Sequence, residues 1–156
     1  MGELFLYKHS KGFSTVELLA VLVIISIIAA IATQNFGFIL SNARMNTTIM
    51  ELVTDIRHAQ QVAVGERINC YIIFDNSNKF YSIRVDANPL PKTIKWVNFD
   101  RRIDISTNFP ENRFHFTSLG APSTGGTIYI KNSKDSGGRT YRITILPATG
   151  RIRVYY

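Results

Sequence analysis

From Phe13 to Ala32 the chain reads FSTVELLAVLVIISIIAAIA, an unbroken apolar run whose only ionisable residue is Glu17. As an α-helix, a run of this length spans about 30 Å, the thickness of one bilayer core. Lys8 and Lys11 precede it against Glu3, and the next charge after Glu17 is Arg44. That asymmetry predicts residues 1–12 in the cytoplasm and the bulk of the chain outside. The rest alternates polar and apolar residues like a soluble β domain. With 156 residues there is room for one domain and an appendage, and 46% hydrophobic residues exclude a disordered chain.

Three readings of the run follow from its residues. A secretory signal peptide fits the basic start, the apolar middle and the small-residue site Ala30-Ile31-Ala32. A plain single-pass anchor fits the length. Neither uses Glu17, a carboxylate that costs about 2–3 kcal/mol at mid-bilayer and less near the interface. The third reading gives that carboxylate a task.

Lys11-Gly12-Phe13-Ser14-Thr15-Val16-Glu17-Leu18-Leu19 resembles the processing site of type IV pilins and type II secretion pseudopilins. The resemblance implies cleavage by a prepilin peptidase after Gly12, N-methylation of the new terminal Phe13, and assembly with other pilin or pseudopilin subunits. Glu17 then becomes the fifth residue of the mature chain. Cleavage creates a positive amine one helical turn from Glu17, on the same chain or a neighbour. In a low-dielectric bundle such a pair attracts strongly, and either charge alone is penalised. Glu17 is therefore expected to set assembly. On this reading residues 1–12 are a leader, 13–40 a transmembrane and filament-core helix, and 41–156 a head outside the cytoplasm. The chain is expected first in the inner (cytoplasmic) membrane and then in a periplasmic or cell-surface filament. One departure is Gln34, which stands where many pilins carry proline; Gly37 follows it.

Residues 41–64 keep a helical period, with Ile49, Leu52, Val53, Ile56, Ala59 and Ala63 on one side. Glu51, Asp55, Arg57, His58 and Gln61 are expected on the other, solvated side, and Gly65 as the stop. After Gly65 the period becomes two. Ile68, Cys70, Ile72 and Phe74 form the inward face of a first strand, which makes Cys70 a buried thiol. Further strands are expected at 80–85, 94–99, 102–106, 113–117, 127–131, 140–146 and 151–156. Loops are expected at 75–78, 88–91, 120–126, 133–138 and 147–150. A helix followed by many short antiparallel strands argues an α+β fold. Phe114 to Gly120, Gly125-Gly126-Thr127 and Gly150-Arg151-Ile152-Arg153-Val154 resemble the GspH/FimT branch of minor pilins. That branch implies a β-sandwich-like head of two sheets packed on the second half of the helix.

No phosphate loop, nucleophile elbow, HExxH or CxxC occurs, and one cysteine with three histidines offers no metal centre. The sequence predicts no catalytic residues, no metal, no cofactor and no small-molecule substrate: not an enzyme. His115, between Phe114 and Phe116, is expected on a solvent face. Residues 131–156 carry a net +5 of the total +7. Strand alternation predicts Arg142, Arg151 and Arg153 side by side on one hairpin face, with Tyr155 available for stacking, and Arg139 nearby. Such a strip suits a phosphate backbone without sequence preference. In the FimT-like branch a G-R-x-R motif is implicated in DNA uptake, and Gly150-Arg151-Ile152-Arg153 matches it. Two functions stay open: a structural filament subunit, or a DNA-binding minor pilin whose contacts would be Arg139, Arg142, Arg151 and Arg153.

Overall fold

The structure, a computed structural model, describes residues 14–88, 90–133 and 139–155, without the side chains of 33–36 and 38. One helix, α1 (Thr15–Glu66), is followed by eight strands. The chain divides into two compact units, Met1–Ser41 and Asn42–Tyr156.

In the first unit, Ser14 caps α1 by accepting the Val16 N–H at 3.4 Å through its hydroxyl. Glu17 stands three residues after that cap, the Ser-x-x-Glu spacing of a capping box. Every large apolar side chain from Val16 to Ile31 is exposed. Ser26, a hydroxyl inside this run, donates to the Leu22 carbonyl at 2.7 Å, so it needs no partner outside its own helix. The helix continues through Gly37.

In the second unit, α1 buries Met45, Ile49, Leu52, Val53, Ile56, Ala59 and Ala63. This is the stripe read from the periodicity, extended by Met45. The helix does not stop at Gly65. It ends at Glu66, with Arg67 in the left-handed region (φ 56°) and the Ile68 N–H donating to the Ala63 carbonyl at 3.2 Å. That is a Schellman closure with arginine at the position usually given to glycine. Ile68, just beyond it, packs on the core.

The strands are β1 (Cys70–Asp75), β2 (Phe80–Val85), β3 (Lys92–Asn98), β4 (Ile103–Thr107), β5 (Arg113–Phe116), β6 (Gly126–Asn132), β7 (Tyr141–Ile145) and β8 (Ile152–Tyr155). They form two antiparallel four-stranded sheets, β3-β2-β1-β5 and β4-β6-β7-β8. All eight strands overlap their expected ranges, with ends shifted by two residues at most, except where β8 meets Tyr156, outside the described residues. The expected loop at 133–138 lies outside them too, save Ser133. Alternation sets the core: Cys70, Ile72 and Phe74 on β1, Tyr81, Ile83 and Val85 on β2, and Phe114 and Phe116 on β5 are buried. From the second sheet come Ile103, Ile105, Ile128, Ile130, Tyr141, Ile143 and Ile145. Burial pushes the Cys70 thiol up to about 11 from its ordinary 9.0, with Glu66 adding to the effect, so it stays protonated.

Asp55 departs from the expected pattern. It is buried, not solvated. Its carboxylate accepts the Tyr81 hydroxyl at 2.7 Å and the Lys95 ammonium at 2.6 Å, and Lys95 also lies 3.7 Å from Glu51. Burial and then the bond to Asp55 push the Tyr81 phenol well above its usual range. One carboxylate thus ties α1 to β2 and to the edge strand β3. Replacing it leaves a buried phenol without an acceptor. Asp55→Ala is expected to lower stability by about 2–3 kcal/mol, against less than about 1 kcal/mol for Lys95→Met, whose ammonium is partly solvated. Thermal denaturation of the full chain checks this; a loss for Asp55→Ala within about 0.5 kcal/mol of zero would remove the tie's importance.

Candidate functional site

Two surfaces carry the residues singled out in the sequence, one in each unit. In the first, Gly12 and Phe13 lie outside the described residues. Glu17 is exposed in the first turn of α1. There the unpaired N–H groups give the helix end a partial positive charge, which favours a carboxylate even without a partner. Thr15–Ala32 is long and apolar enough to cross a membrane, and none of it is buried.

In the second unit the β6–β7–β8 face presents the basic strip. Strand pairing sets Tyr129, Arg142 and Tyr155 in one row across three strands. The Arg142 guanidinium carbon sits 5.5 Å from the Tyr155 ring centroid, a cation–π contact. The next row is Thr127, Thr144 and Arg153, with the two threonine hydroxyls 3.2 Å apart. Arg139 and Arg151 are exposed just before β7 and β8.

The alternation was therefore legible, but the neighbours differ from those expected. Arg142 faces Tyr155 and Arg153 faces Thr144, so Arg142, Arg151 and Arg153 spread along the hairpin instead of standing side by side. Tyr155 is engaged by Arg142 and is itself 42% exposed. Tyr129 completes the row and was missed. Its signal was its place between Ile128 and Ile130, both buried.

Gly150 explains why a glycine opens this segment. Its φ is +63°, its N–H donates to the Leu146 carbonyl at 2.9 Å, and a Cβ there would meet Gln60 Nε2 at 2.6 Å. Gln60 is held by donating to the Gly120 carbonyl at 2.8 Å. Gly120 is itself left-handed, with φ +79°. Two glycines thus let two loops close against one helical side chain.

His115 behaves as expected. Phe114 and Phe116 are buried, while its own ring packs at a tilt of 37° against Tyr71 with centroids 4.7 Å apart. His58 is exposed. Asp100, just before β4, pairs with Arg44 at 3.1 Å and accepts the Arg102 N–H at 2.9 Å. The Arg102 backbone bond, with Arg44 and Arg102 nearby, holds the carboxyl of Asp100 below its usual range. Asp104 pairs with Lys79 at 2.5 Å. These are structural contacts.

Gly150→Ala is expected to cost about 1–3 kcal/mol, because both the backbone conformation and Gln60 resist the new methyl. Arg151→Ala and Arg153→Ala should each change stability by about 0.5 kcal/mol or less. Denaturant unfolding of the three variants separates a glycine kept for the fold from arginines kept for a surface.

A family model for the type II transport protein GspH matches residues 48–149, and one for the prokaryotic N-terminal methylation motif matches residues 7–33. No curated protein matches the chain. Among solved structures, the minor pseudopilin EpsH from the type 2 secretion system of Vibrio cholerae has a TM-score of 0.62 at 11% identity. The match covers 72% of this chain and 96% of that one. The type IV minor pilin FimU of Pseudomonas aeruginosa has a TM-score of 0.62 at 20% identity, covering 74% of this chain and 91% of the other. At these identities the two structures share the fold.

Proposed function

The chain belongs to the GspH family of type II transport proteins, and from that premise we propose that it is a minor pseudopilin or minor pilin. A prepilin peptidase cuts it after Gly12, Phe13 is methylated, and its N-terminal helix carries it into a filament of related subunits. The observation that supports this most is the methylation motif at residues 7–33 running into a helix whose large apolar side chains from Val16 to Ile31 are all exposed. A surface of that kind has to be covered, first by lipid and then by neighbouring helices.

Glu17 is the one charge in that surface. Among the described residues, the helix end is what favours it in the precursor. In a filament it gains an amine at the start of a neighbour, and that difference in partner gives direction to the transfer. The head stays outside the cytoplasm and sets contacts with other subunits.

Mass spectrometry of the protein recovered from its native membrane tests the processing step. The expected mature terminus is N-methylated Phe13; a chain starting at Thr33 would mean an ordinary signal peptide and remove the filament reading. Glu17→Val is expected to leave membrane insertion and processing intact while lowering incorporation into sheared filaments by about tenfold or more, the order expected for losing a desolvated charge pair.

A second reading, binding of DNA during uptake, is favoured by the Tyr129-Arg142-Tyr155 row with Arg153 beside it. Phosphate contacts from arginine make binding fall steeply with salt. Full-length protein in detergent should then bind duplex DNA in a salt-dependent way, and Arg151→Ala with Arg153→Ala should weaken that binding and flatten the salt slope. Unchanged binding in the double variant leaves the structural role alone.

A further inference from the structure

The outward face of the first sheet carries an arrangement apart from both the apolar helix and the basic strip. Strand register sets His115, Tyr71 and Arg84 in one row across β5, β1 and β2. Arg113, Ile73, Ser82 and Trp96 form the row beside it. Between the strands and the segments before β3 and β6 lies a groove of about 540 Å³, lined by Tyr71, Arg84, Asp86, Arg113 and His115 among others.

Two buried side-chain polar atoms among the described residues lack a hydrogen-bond partner, Arg84 Nε and Ser82 Oγ. Both belong to the outward face of β2. Other charged groups of the groove have partners. Arg113 pairs with Glu111. Asp86 accepts the Tyr71 hydroxyl at 3.1 Å and the Asn69 amide at 3.4 Å through one oxygen. Tyr71 is braced from the other side by the His115 ring. Among the described residues, Arg84 is the groove cation whose Nε has no acceptor. The ladder between β2 and β3 shifts register beside it, between Ile83 and Arg84, and such a bulge re-aims the side chains around it.

A guanidinium offers a planar fork of donors and cannot be neutralised, so its natural complement is a carboxylate or phosphate held bidentately. Two features choose between them. Asp86 and Glu111 both line the groove and oppose a ligand charged at every residue, as a nucleic acid is. Beyond Arg84 the surface turns aromatic: Trp96 is 51% exposed and stacks on Phe80 with centroids 3.9 Å apart. Ile94 on β3 and Leu90 just before it are exposed as well. Arginine beside tryptophan and tyrosine is the composition of a protein-binding hot spot, not of a phosphate track.

We propose that this face binds an extended segment of a partner protein that presents one acidic side chain to Arg84 and an apolar side chain to the Phe80–Trp96 pair. The site is distinct from the basic β6–β7–β8 strip and stands whether or not that strip touches DNA.

Trp96 is the only tryptophan in the sequence, so its emission reports this face without a label. The full chain in detergent micelles is probed on an array of pentapeptides, each Asp- or Glu-containing peptide paired with its Asn or Gln twin, and the strongest binders are titrated against Trp96 emission. The acidic members should bind roughly tenfold more tightly than their twins, the order expected for a charge-assisted bidentate contact. Arg84→Gln should abolish that preference while leaving the twins' binding unchanged. If Arg84→Gln fails to fold, Arg84→Lys decides, since it keeps the charge but loses the fork; it should lose most of the preference. Equal binding of acids and twins, a preference that survives both substitutions, or no Trp96 response to any array member overturns the proposal. So does competition by inorganic phosphate or acetate at the peptides' own concentration, which would mark a simple anion site. A short oligonucleotide that displaces the peptides would assign the face to nucleic acid and overturn it equally.

Discussion

The head depends on one stripe of α1. Met45, Ile49, Leu52, Val53, Ile56, Ala59 and Ala63 recur at three- and four-residue intervals and are all buried. Two of the seven are alanines, both toward the C-terminal end of the stripe. Burial of the larger five contributes on the order of 1.5–3 kcal/mol each, so the stripe outweighs any single polar contact around it. Yet a stripe fixes only which way a helix faces. Asp55, at the margin of the same stripe, adds position: its bonds to Tyr81 and Lys95 have geometric limits that apolar contact lacks. At the other end Gln60 does the same for the loop at Gly120, and the loop at Gly150 closes against its side chain.

With the inward faces committed to the core, the two sheets offer different chemistry outward. The β6–β7–β8 face carries Arg142, Arg153 and Lys131 exposed with tyrosines between them. Asp104, the acid on the adjoining β4, is spent on Lys79. The β3-β2-β1-β5 face mixes both signs with large aromatics. The first has the character of a field, strongest at low salt and indifferent to detail. The second has the character of a fitted surface, where individual side chains decide.

Much of the fold was legible because its signals are local. The switch from a period near 3.6 to a period of two falls at the end of α1, and each strand is announced by alternation. Within the strands, burial follows parity almost residue for residue, which is why Arg142 and Arg153 could be set outward from sequence. What escaped is what depends on distant chain. Asp55 looks like any polar helix residue until Tyr81 and Lys95 arrive from two strands. The helix end was read at Gly65 because glycine is the usual left-handed residue; here Arg67 adopts that conformation, and Ile68 beyond it joins the core. Neighbours across strands were out of reach as well. Alternation tells which face a side chain takes, but register decides that Arg142 meets Tyr155 and that Tyr129 completes the row.

The Ser26 hydroxyl, closed on the Leu22 carbonyl of its own helix, has a consequence for passage between phases. A helix already satisfies its backbone internally. With its one mid-run hydroxyl satisfied as well, the stretch from Leu18 to Ala32 asks nothing polar of its surroundings, so an exchange of acyl chains for protein neighbours would leave its hydrogen bonding as it was. The conformation can be the same on both sides of that exchange, and the helix need not melt to change its company.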